Sequence, residues 1–149
     1  MEIRELMTSD VATCTPDMPL QEIASMMVEY DCGMIPVVAG DGTTRAIGTI
    51  TDRDITCRTV ARGDNPLNMS AGDIMTGNPI TVSPNASEHQ AMELMENHKL
   101  RRLLVVDDNG ETYGVISQAD LALEMSEEEV GEVVQNVSEP KEGGSVTRR

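Results

Sequence analysis

The sequence predicts an α/β (α+β) fold in which one unit of strands and helices is present twice. Three observations support this prediction. The sequence repeats after a fixed displacement, each copy alternates between strand-like and helix-like patterns, and both copies end on a hydroxyl with an aspartate three positions later. One copy of roughly 60 residues buries little surface and would be only marginally stable alone. The 149 residues are therefore expected to pack as two copies, sheet to sheet.

The repeat becomes visible when the sequence is displaced by 68 positions. Residues 6–18 then lie over residues 74–86, with four identities: Met7 and Met75, Thr8 and Thr76, Thr13 and Thr81, Pro16 and Pro84. After a slip of two residues, three further pairs correspond: Gly48 and Gly114, Thr51 and Ser117, Asp54 and Asp120. The agreement covers both ends of each copy, so the two copies are expected to share one architecture.

Each copy is predicted to run strand, helix, strand, turn, strand, helix. In the first copy these elements cover residues 12–15, 19–31, 34–39, 45–50 and 52–62. In the second copy they cover residues 80–83, 87–98, 102–107, 112–116 and 118–125. The first long helix of each copy carries apolar residues at the i, i+3, i+4, i+7 spacing of one helix face. Pro19 and Ser87 stand where these helices start, and "GDGT" and "DNGE" are predicted hairpin turns.

The domain boundaries follow from the repeat: repeat 1 is residues 1–65, repeat 2 is residues 66–125, and a C-terminal region is residues 126–149. Residues 62–70, between the repeats, are rich in Gly, Pro and Asn, as linkers are. The C-terminal region opens with an acidic helical pattern whose valines, from Val130 to Val137, would dock on the domain or on another subunit. The residues after about 138 are expected to be disordered.

Composition narrows the class of protein. The chain has no apolar run of membrane-spanning length and its N-terminus is charged, so a cytoplasmic protein without a membrane partner is expected. Cys14, Cys32 and Cys57 lack CxxC spacing and are expected to be reduced thiols. A net charge of −15 disfavours nucleic-acid binding. That acidity is equally expected of a protein from a salt-rich cytoplasm and of an acidic mesophile protein.

Catalysis and metal binding are not expected from the residues present. His89 and His98 are the only histidines, and neither belongs to a recognisable motif with a cysteine or serine nucleophile. His98 lies on the apolar helix face at the position of Tyr30 in the first copy, which favours a packed or site-rim residue over a catalytic base. No metal-ligand spacing is present. The sequence therefore predicts no catalytic residue and no metal ligand.

The doubled motifs resemble those of a stand-alone CBS-domain pair, a regulatory module named after cystathionine β-synthase. The resemblance covers about residues 1–123 and rests on the "LMT…TP" opening, the "IPVV" and "LLVV" strands, and the endings "GTITDRDI" and "GVISQADL". "TDRDI" followed by "RTVARGDNP" is similar to small CBS-pair proteins of the hypoxic-response type. The resemblance implies two βαββα repeats joined through their sheets, usually within a homodimer of two pairs.

The hydroxyl–aspartate motif admits two readings. In the first, Thr51 and Ser117 are helix N-caps, and the aspartate at the third helical position favours the positive helix end. In the second, the helix N-terminus and the hydroxyl bind a phosphate, while the aspartate accepts hydrogen bonds from ribose hydroxyls. The resemblance favours the second reading, because CBS pairs commonly bind adenine nucleotides or adenosyl compounds between their repeats. AMP, ADP, ATP or S-adenosylmethionine is then the expected regulatory ligand, and no cofactor is required.

The resemblance implies two ligand sites, each combining the motif of one repeat with segments of the other. The first is expected to contain Ser117, Asp120, Arg101, Arg102, Thr15, Leu20, Cys32 and Gly33. The second, weaker site is expected to contain Thr51, Asp54, Ser83, Glu88, Leu100 and Arg101. Only the first has an arginine pair, since repeat 1 has Gly33 and Met34 at those positions. Arginine pairs strongly with phosphate, although a solvated strand edge would also explain two arginines.

The expected function is that of a regulatory, ligand-sensing module. The alternative is a ligand-free structural module that regulates a partner protein through contacts alone. A homodimer is expected through the helices of both repeats, because the faces with Met26, Met27, Leu94 and Met95 are strongly apolar. The ligand, the partner and the occupancy of each cleft are not encoded in any motif.

Overall fold

The computed structural model describes residues 1–123 and Val137. These residues divide into two compact units. Unit 1 consists of Met1–Ser9, Ile80–Val105 and the described residues from Tyr113 onward. Unit 2 consists of Asp10–Pro79 and Val106–Thr112. Each unit is therefore assembled from separate stretches of the chain.

The described elements, in chain order, are α1 (Ile3–Leu6), β1 (Thr8–Ser9), α2 (Leu20–Glu29), β2 (Met34–Val38), β3 (Ala46–Thr51), α3 (Asp52–Arg58), α4 (Ala71–Ile74), β4 (Thr76–Gly77), β5 (Thr81–Val82), α5 (Glu88–His98), β6 (Arg102–Val106), β7 (Thr112–Ser117) and α6 (Gln118–Ala122). Single turns of 3₁₀ helix cover Val60–Arg62 and Pro66–Asn68. The mixed α/β fold predicted from the sequence is confirmed. Within residues 1–123, every helix is too short and too polar to cross a bilayer.

The two sheets have related plans. Unit 2 has the strand order β2-β3-β4, and unit 1 has the order β1-β7-β6-β5. β4 pairs antiparallel with β3, and β1 pairs antiparallel with β7. The short helix and strand that open each repeat, residues 3–9 and 71–77, are called arms below. Each arm completes the sheet built from the other repeat, which explains why the units are discontinuous.

Two glycines make room for the arms. A Cβ on Gly114 would lie 2.6 Å from the Thr8 carbonyl oxygen and 2.8 Å from the Met7 sulfur. A Cβ on Gly48 would lie 2.7 Å from the carbonyl oxygen of Thr76. In each sheet, the glycine near the end of one repeat thus contacts the Met-Thr pair at the start of the other repeat. This contact explains why both motifs are present twice.

Each unit has its own apolar core, formed by one face of its long helix and by its strands. In unit 2, α2 buries Leu20, Ile23 and Met27 against strand residues such as Ile35. In unit 1, the buried residues of the core are Ile3, Val82, Ala91, Met95, Leu103, Val105, Ile116, Leu121 and Val137. The predicted apolar helix faces are therefore confirmed for these residues. Tyr30 and His98, at the last position of each predicted face, are exposed, so a packed position for His98 is wrong. Apart from Val137, the predictions for residues 126–149 lie outside the described residues.

Two predicted elements are shorter than the sequence suggested. The strand predicted at residues 12–15 is an isolated bridge between Cys14 and Val37. The helix predicted at residues 52–62 ends at Arg58, and a 3₁₀ turn follows. The β-branched pair Thr59 and Val60 interrupts the helix, since such residues lose side-chain freedom there, and Thr59 donates its hydroxyl to the Ile55 carbonyl. The other predicted elements agree within a few residues.

The helix faces predicted to form a dimer are largely occupied within the units. Met27 and Met95 are buried, and Met26 and Leu94 pack against the same two cores. The prediction that these helix faces are exposed is therefore wrong for Met27 and Met95. On α2 the large apolar side chain that is exposed is Val28, at 84 %.

Candidate functional site

Ser117 and Asp120 form a closed hydrogen-bonded pair where β7 passes into α6. The Ser117 Oγ accepts a hydrogen bond from the Asp120 backbone nitrogen at 3.1 Å. The Asp120 Oδ2 accepts one from the Ser117 backbone nitrogen at 2.8 Å. This reciprocal arrangement is a capping box, which satisfies two backbone donors at the start of the helix. The helix-cap reading of the motif is therefore confirmed, and both side chains are half-buried.

Thr51 and Asp54 form the same capping box between β3 and α3, but in a more enclosed setting. Both reciprocal hydrogen bonds measure 3.0 Å. Thr51 is 5 % exposed and Asp54 is 3 % exposed. Arg58 lies 3.6 Å from the Asp54 Oδ1 through its Nη2. The motif is thus open to solvent in unit 1 and closed in unit 2.

The residues that precede β6 and β2 lie against these helix starts. The Gln118 backbone nitrogen donates to the Arg101 carbonyl at 2.7 Å. In the same way, the Asp52 backbone nitrogen donates to the Gly33 carbonyl at 3.0 Å. Unit 1 therefore brings Arg101 next to the capping box of Ser117. The Arg101 side chain is exposed, and that of Arg102, the first residue of β6, is half-buried.

Gln118 is a residue of this region that the sequence analysis missed. Its side-chain nitrogen is buried and has no hydrogen-bond partner among the described residues. Buried polar atoms are nearly always paired, because an unpaired donor costs about 1–3 kcal/mol. Gln118 occupies a variable position of the Ser/Thr-x-x-Asp motif, where only its place directly after Ser117 hinted at a role. Gln118 is therefore added to the candidate residues of this region.

The remaining predicted site residues are distributed over both units. Among the residues predicted for the first site, Thr15, Leu20, Cys32 and Gly33 belong to unit 2. Leu20 is 1 % exposed and is part of the unit 2 core. Thr15 donates a hydrogen bond to Asp17, which lowers the pKa of that carboxyl below its ordinary value. Within unit 1 the structure therefore gathers four of these residues: Ser117, Asp120, Arg101 and Arg102.

For the second site, the predicted residues Ser83, Glu88 and Leu100 belong to unit 1, whereas Thr51 and Asp54 belong to unit 2. Ser83 is exposed, and Glu88 and Leu100 are half-buried. Within unit 2, Cys32 and Gly33 precede β2 on the same segment whose carbonyl holds the start of α3. Each unit therefore presents one capping box beside one such segment.

The three cysteines differ in their exposure to solvent. Cys14 is buried, Cys32 is half-buried and Cys57 is exposed, and none of the three forms a disulfide within the described residues. Burial raises the pKa of the Cys14 thiol to about 11, so it stays protonated at neutral pH. Residues 1–123 also contain no cluster of three or more His, Cys, Asp or Glu side chains placed to hold a metal ion.

The chain is similar to known proteins both in sequence and in fold. The family model described as "CBS domain" matches residues 3–58 and 71–127. Each match begins at the first residue of an arm. The CBS domain-containing protein YhcV of Bacillus subtilis is 38% identical over 138 residues, covering 91% of this chain and 94% of that protein. Hypoxic response protein 1 of Mycobacterium tuberculosis is 29% identical over 137 residues, covering 92% and 94% respectively.

The fold is also similar to that of solved structures. The CBS domain protein PAE2072 from Pyrobaculum aerophilum, complexed with AMP, superimposes with a TM-score of 0.76. The two sequences are 28% identical, and the match covers 91% of this chain and 99% of that one.

Proposed function

Because the chain belongs to the CBS-domain family, we propose that it is a cytoplasmic regulatory module that binds an adenine nucleotide. The observation that carries this proposal is its likeness to PAE2072, a structure with AMP bound, over nearly the whole of both chains. In this proposal AMP or ATP is the regulatory ligand, and S-adenosylmethionine is a competing candidate. The bound nucleotide alters contacts with a regulated partner protein, and the chain itself performs no catalysis.

The ligand is assigned to the open capping box of unit 1. The Asp120 Oδ2 holds the Ser117 backbone, so Oδ1 remains to accept hydrogen bonds from ribose hydroxyls. Arg101 and Arg102 supply the positive charge that a phosphate requires on a chain of net charge −15. The unpaired side-chain nitrogen of Gln118 adds a donor. The family resemblance also implies Thr15, Leu20, Cys32 and Gly33, and their part in the site stays a prediction.

A second candidate function is a ligand-free module that acts through protein contacts. The observation that favours it is that both capping boxes are closed by their own backbone, so the recurrence of the motif needs no ligand. On this alternative, Asp120 contributes to helix stability alone. Measuring binding and stability on the same variants separates the two functions.

The decisive experiment is calorimetric titration of the full chain with AMP, ADP, ATP and S-adenosylmethionine. Asp120→Ala should weaken nucleotide binding by on the order of 2 kcal/mol, or about 30-fold, since the ribose hydroxyls lose a charged acceptor. Arg102→Ala should weaken AMP and ATP but spare adenosine, because the guanidinium acts on phosphate.

The matched control is Asp73→Ala, which removes another capping carboxylate, one that accepts from the Ser70 nitrogen at 2.9 Å in unit 2. This variant should bind nucleotide like the wild type. Binding by Asp120→Ala that equals the wild type would exclude the ribose role. A wild type that binds none of the four compounds would favour the ligand-free module.

The proposed module is also a homodimer, as the family resemblance implies. Light scattering at physiological and at molar salt tests the assembly, and a monomer at both salt concentrations would exclude it.

A further inference from the structure

The two capping boxes differ by one arginine. In unit 2, Arg58 lies one helical turn after Asp54 and pairs with its carboxylate. We infer that Arg58 closes the second site from within, so that the chain binds one adenine nucleotide rather than two. This inference rests on the proposed function, and it assigns to Arg58 the place that a ligand takes at Asp120.

Both carboxylate oxygens of Asp54 are engaged inside unit 2. Oδ2 accepts from the Thr51 backbone nitrogen at 3.0 Å, and Oδ1 faces the Arg58 Nη2 at 3.6 Å. The Asp54 side chain is only 4 % exposed. A ribose would have to displace the guanidinium and leave a nearly buried charge pair separated, which is strongly unfavourable. The carboxylate is therefore closed to a ligand although its cap geometry matches that of Asp120.

Arg58 is itself fixed by a second contact. Its Nη1 donates to the Ile74 carbonyl at the end of α4, at 2.8 Å. One planar guanidinium thus joins α3 to the arm of unit 2 while it neutralises Asp54. The Arg58 side chain is 25 % exposed, so both contacts are largely shielded from solvent and salt. This double attachment makes Arg58 a fixed part of unit 2.

Repeat 2 has no arginine at the corresponding position. The alignment that places Asp54 on Asp120 places Arg58 on Glu124, and a glutamate cannot neutralise an aspartate. Asp120 is half-buried, and its contacts in the described part of the chain are those of the capping box with Ser117. The difference in site closure is therefore encoded at a single position of the repeat.

Titration of the full chain with AMP tests the inference through the stoichiometry. The wild type should bind one AMP per chain. Arg58→Gln should bind two, with the added site weaker, because the neutral amide releases Asp54. Two AMP per wild-type chain, or one per chain in Arg58→Gln, would overturn the inference.

Asp54→Asn provides an independent measurement should Arg58→Gln fail to fold. It removes the carboxylate charge at the closed site and should leave the affinity for AMP within about twofold of the wild type. Asp120→Asn should weaken AMP at least about tenfold. A loss of AMP in Asp54→Asn would overturn the inference while the proposed function stands. A wild type that binds no adenine nucleotide would overturn both.

Discussion

Unit 1 and unit 2 are built on one repeat, yet they fill their cores differently. In unit 2, α2 buries Leu20 and Ile23. At the corresponding positions α5 of unit 1 has Glu88, which is half-buried, and the smaller Ala91. The core of unit 1 instead includes Val137, which lies beyond both repeats. The long helix of unit 1 thus buries less apolar side-chain volume than that of unit 2, and Val137 of the C-terminal region adds apolar volume to the core of unit 1.

The same division is present at the capping boxes. Unit 2 has the larger buried helix face and a carboxylate paired with Arg58, whereas unit 1 has the smaller buried helix face and a half-buried carboxylate. Equal backbone geometry therefore does not imply equal chemistry at the two copies. On the proposed function, unit 2 contributes mainly stability and unit 1 contains the nucleotide site, and three predictions test how the two units differ.

The largest expected effect is a difference in the free energy of unfolding between variants of Asp54 and Asp120. Asp54→Ala should lower the free energy of unfolding by about 2–3 kcal/mol, because it also leaves the Arg58 guanidinium without its carboxylate. Asp120→Ala should cost only about 0.5–1 kcal/mol, the usual value of a helix cap. Urea unfolding of both variants measures the difference. Equal losses would mean that the Arg58 pair adds nothing to the cap.

The next effect tests whether the arms are held alike in both units. Gly114→Ala and Gly48→Ala should each cost about 1–3 kcal/mol, since the added Cβ meets the backbone oxygen of an arm. Gly77→Ala is the matched control, because a Cβ there meets nothing within 4 Å. Thermal unfolding measures the stability of all three variants. If either variant is as stable as Gly77→Ala, the arm in that unit can shift to accommodate the added Cβ at little cost.

The smallest expected effect is at Val137, which lies outside both repeats and is part of the core of unit 1. Val137→Ala should cost about 1.5 kcal/mol, the value of two buried methylene equivalents. Val28→Ala, on the exposed face of α2, should leave the free energy of unfolding almost unchanged. Chemical unfolding of the two variants measures the difference in their free energies of unfolding. If Val137→Ala is as stable as Val28→Ala, unit 1 does not depend on the C-terminal region.

The sequence predicted the parts of the fold that have local signals. The apolar spacing of residues such as Ile23 and Met27 located the long helices, and turn residues located the hairpins. The arms were missed because their strands are two residues long and pair far along the chain, Thr8 with Val115 for example. Periodicity over a window of residues contains no information about such pairings.

The candidate site was predictable in type and less so in detail. The doubled motif identified Ser117 and Asp120, and the alignment of repeats identified the arginine pair. The importance of Arg58 was missed, since its contact with the Ile74 carbonyl depends on the arm. The unpaired state of Gln118 was missed as well, because hydrogen-bond satisfaction is a property of packed atoms and not of residue types.

The exchange of arms has a consequence for synthesis on the ribosome. Unit 2 needs no residue beyond Thr112, so every part of it is present before the last strand has emerged. The segment Met1–Ser9 is made first, yet its partner strand, β7, ends only at Ser117. The nascent chain must therefore carry an unpaired β1 while more than a hundred residues follow it. Vectorial synthesis thus imposes an order in which unit 2 is completed first and unit 1 last.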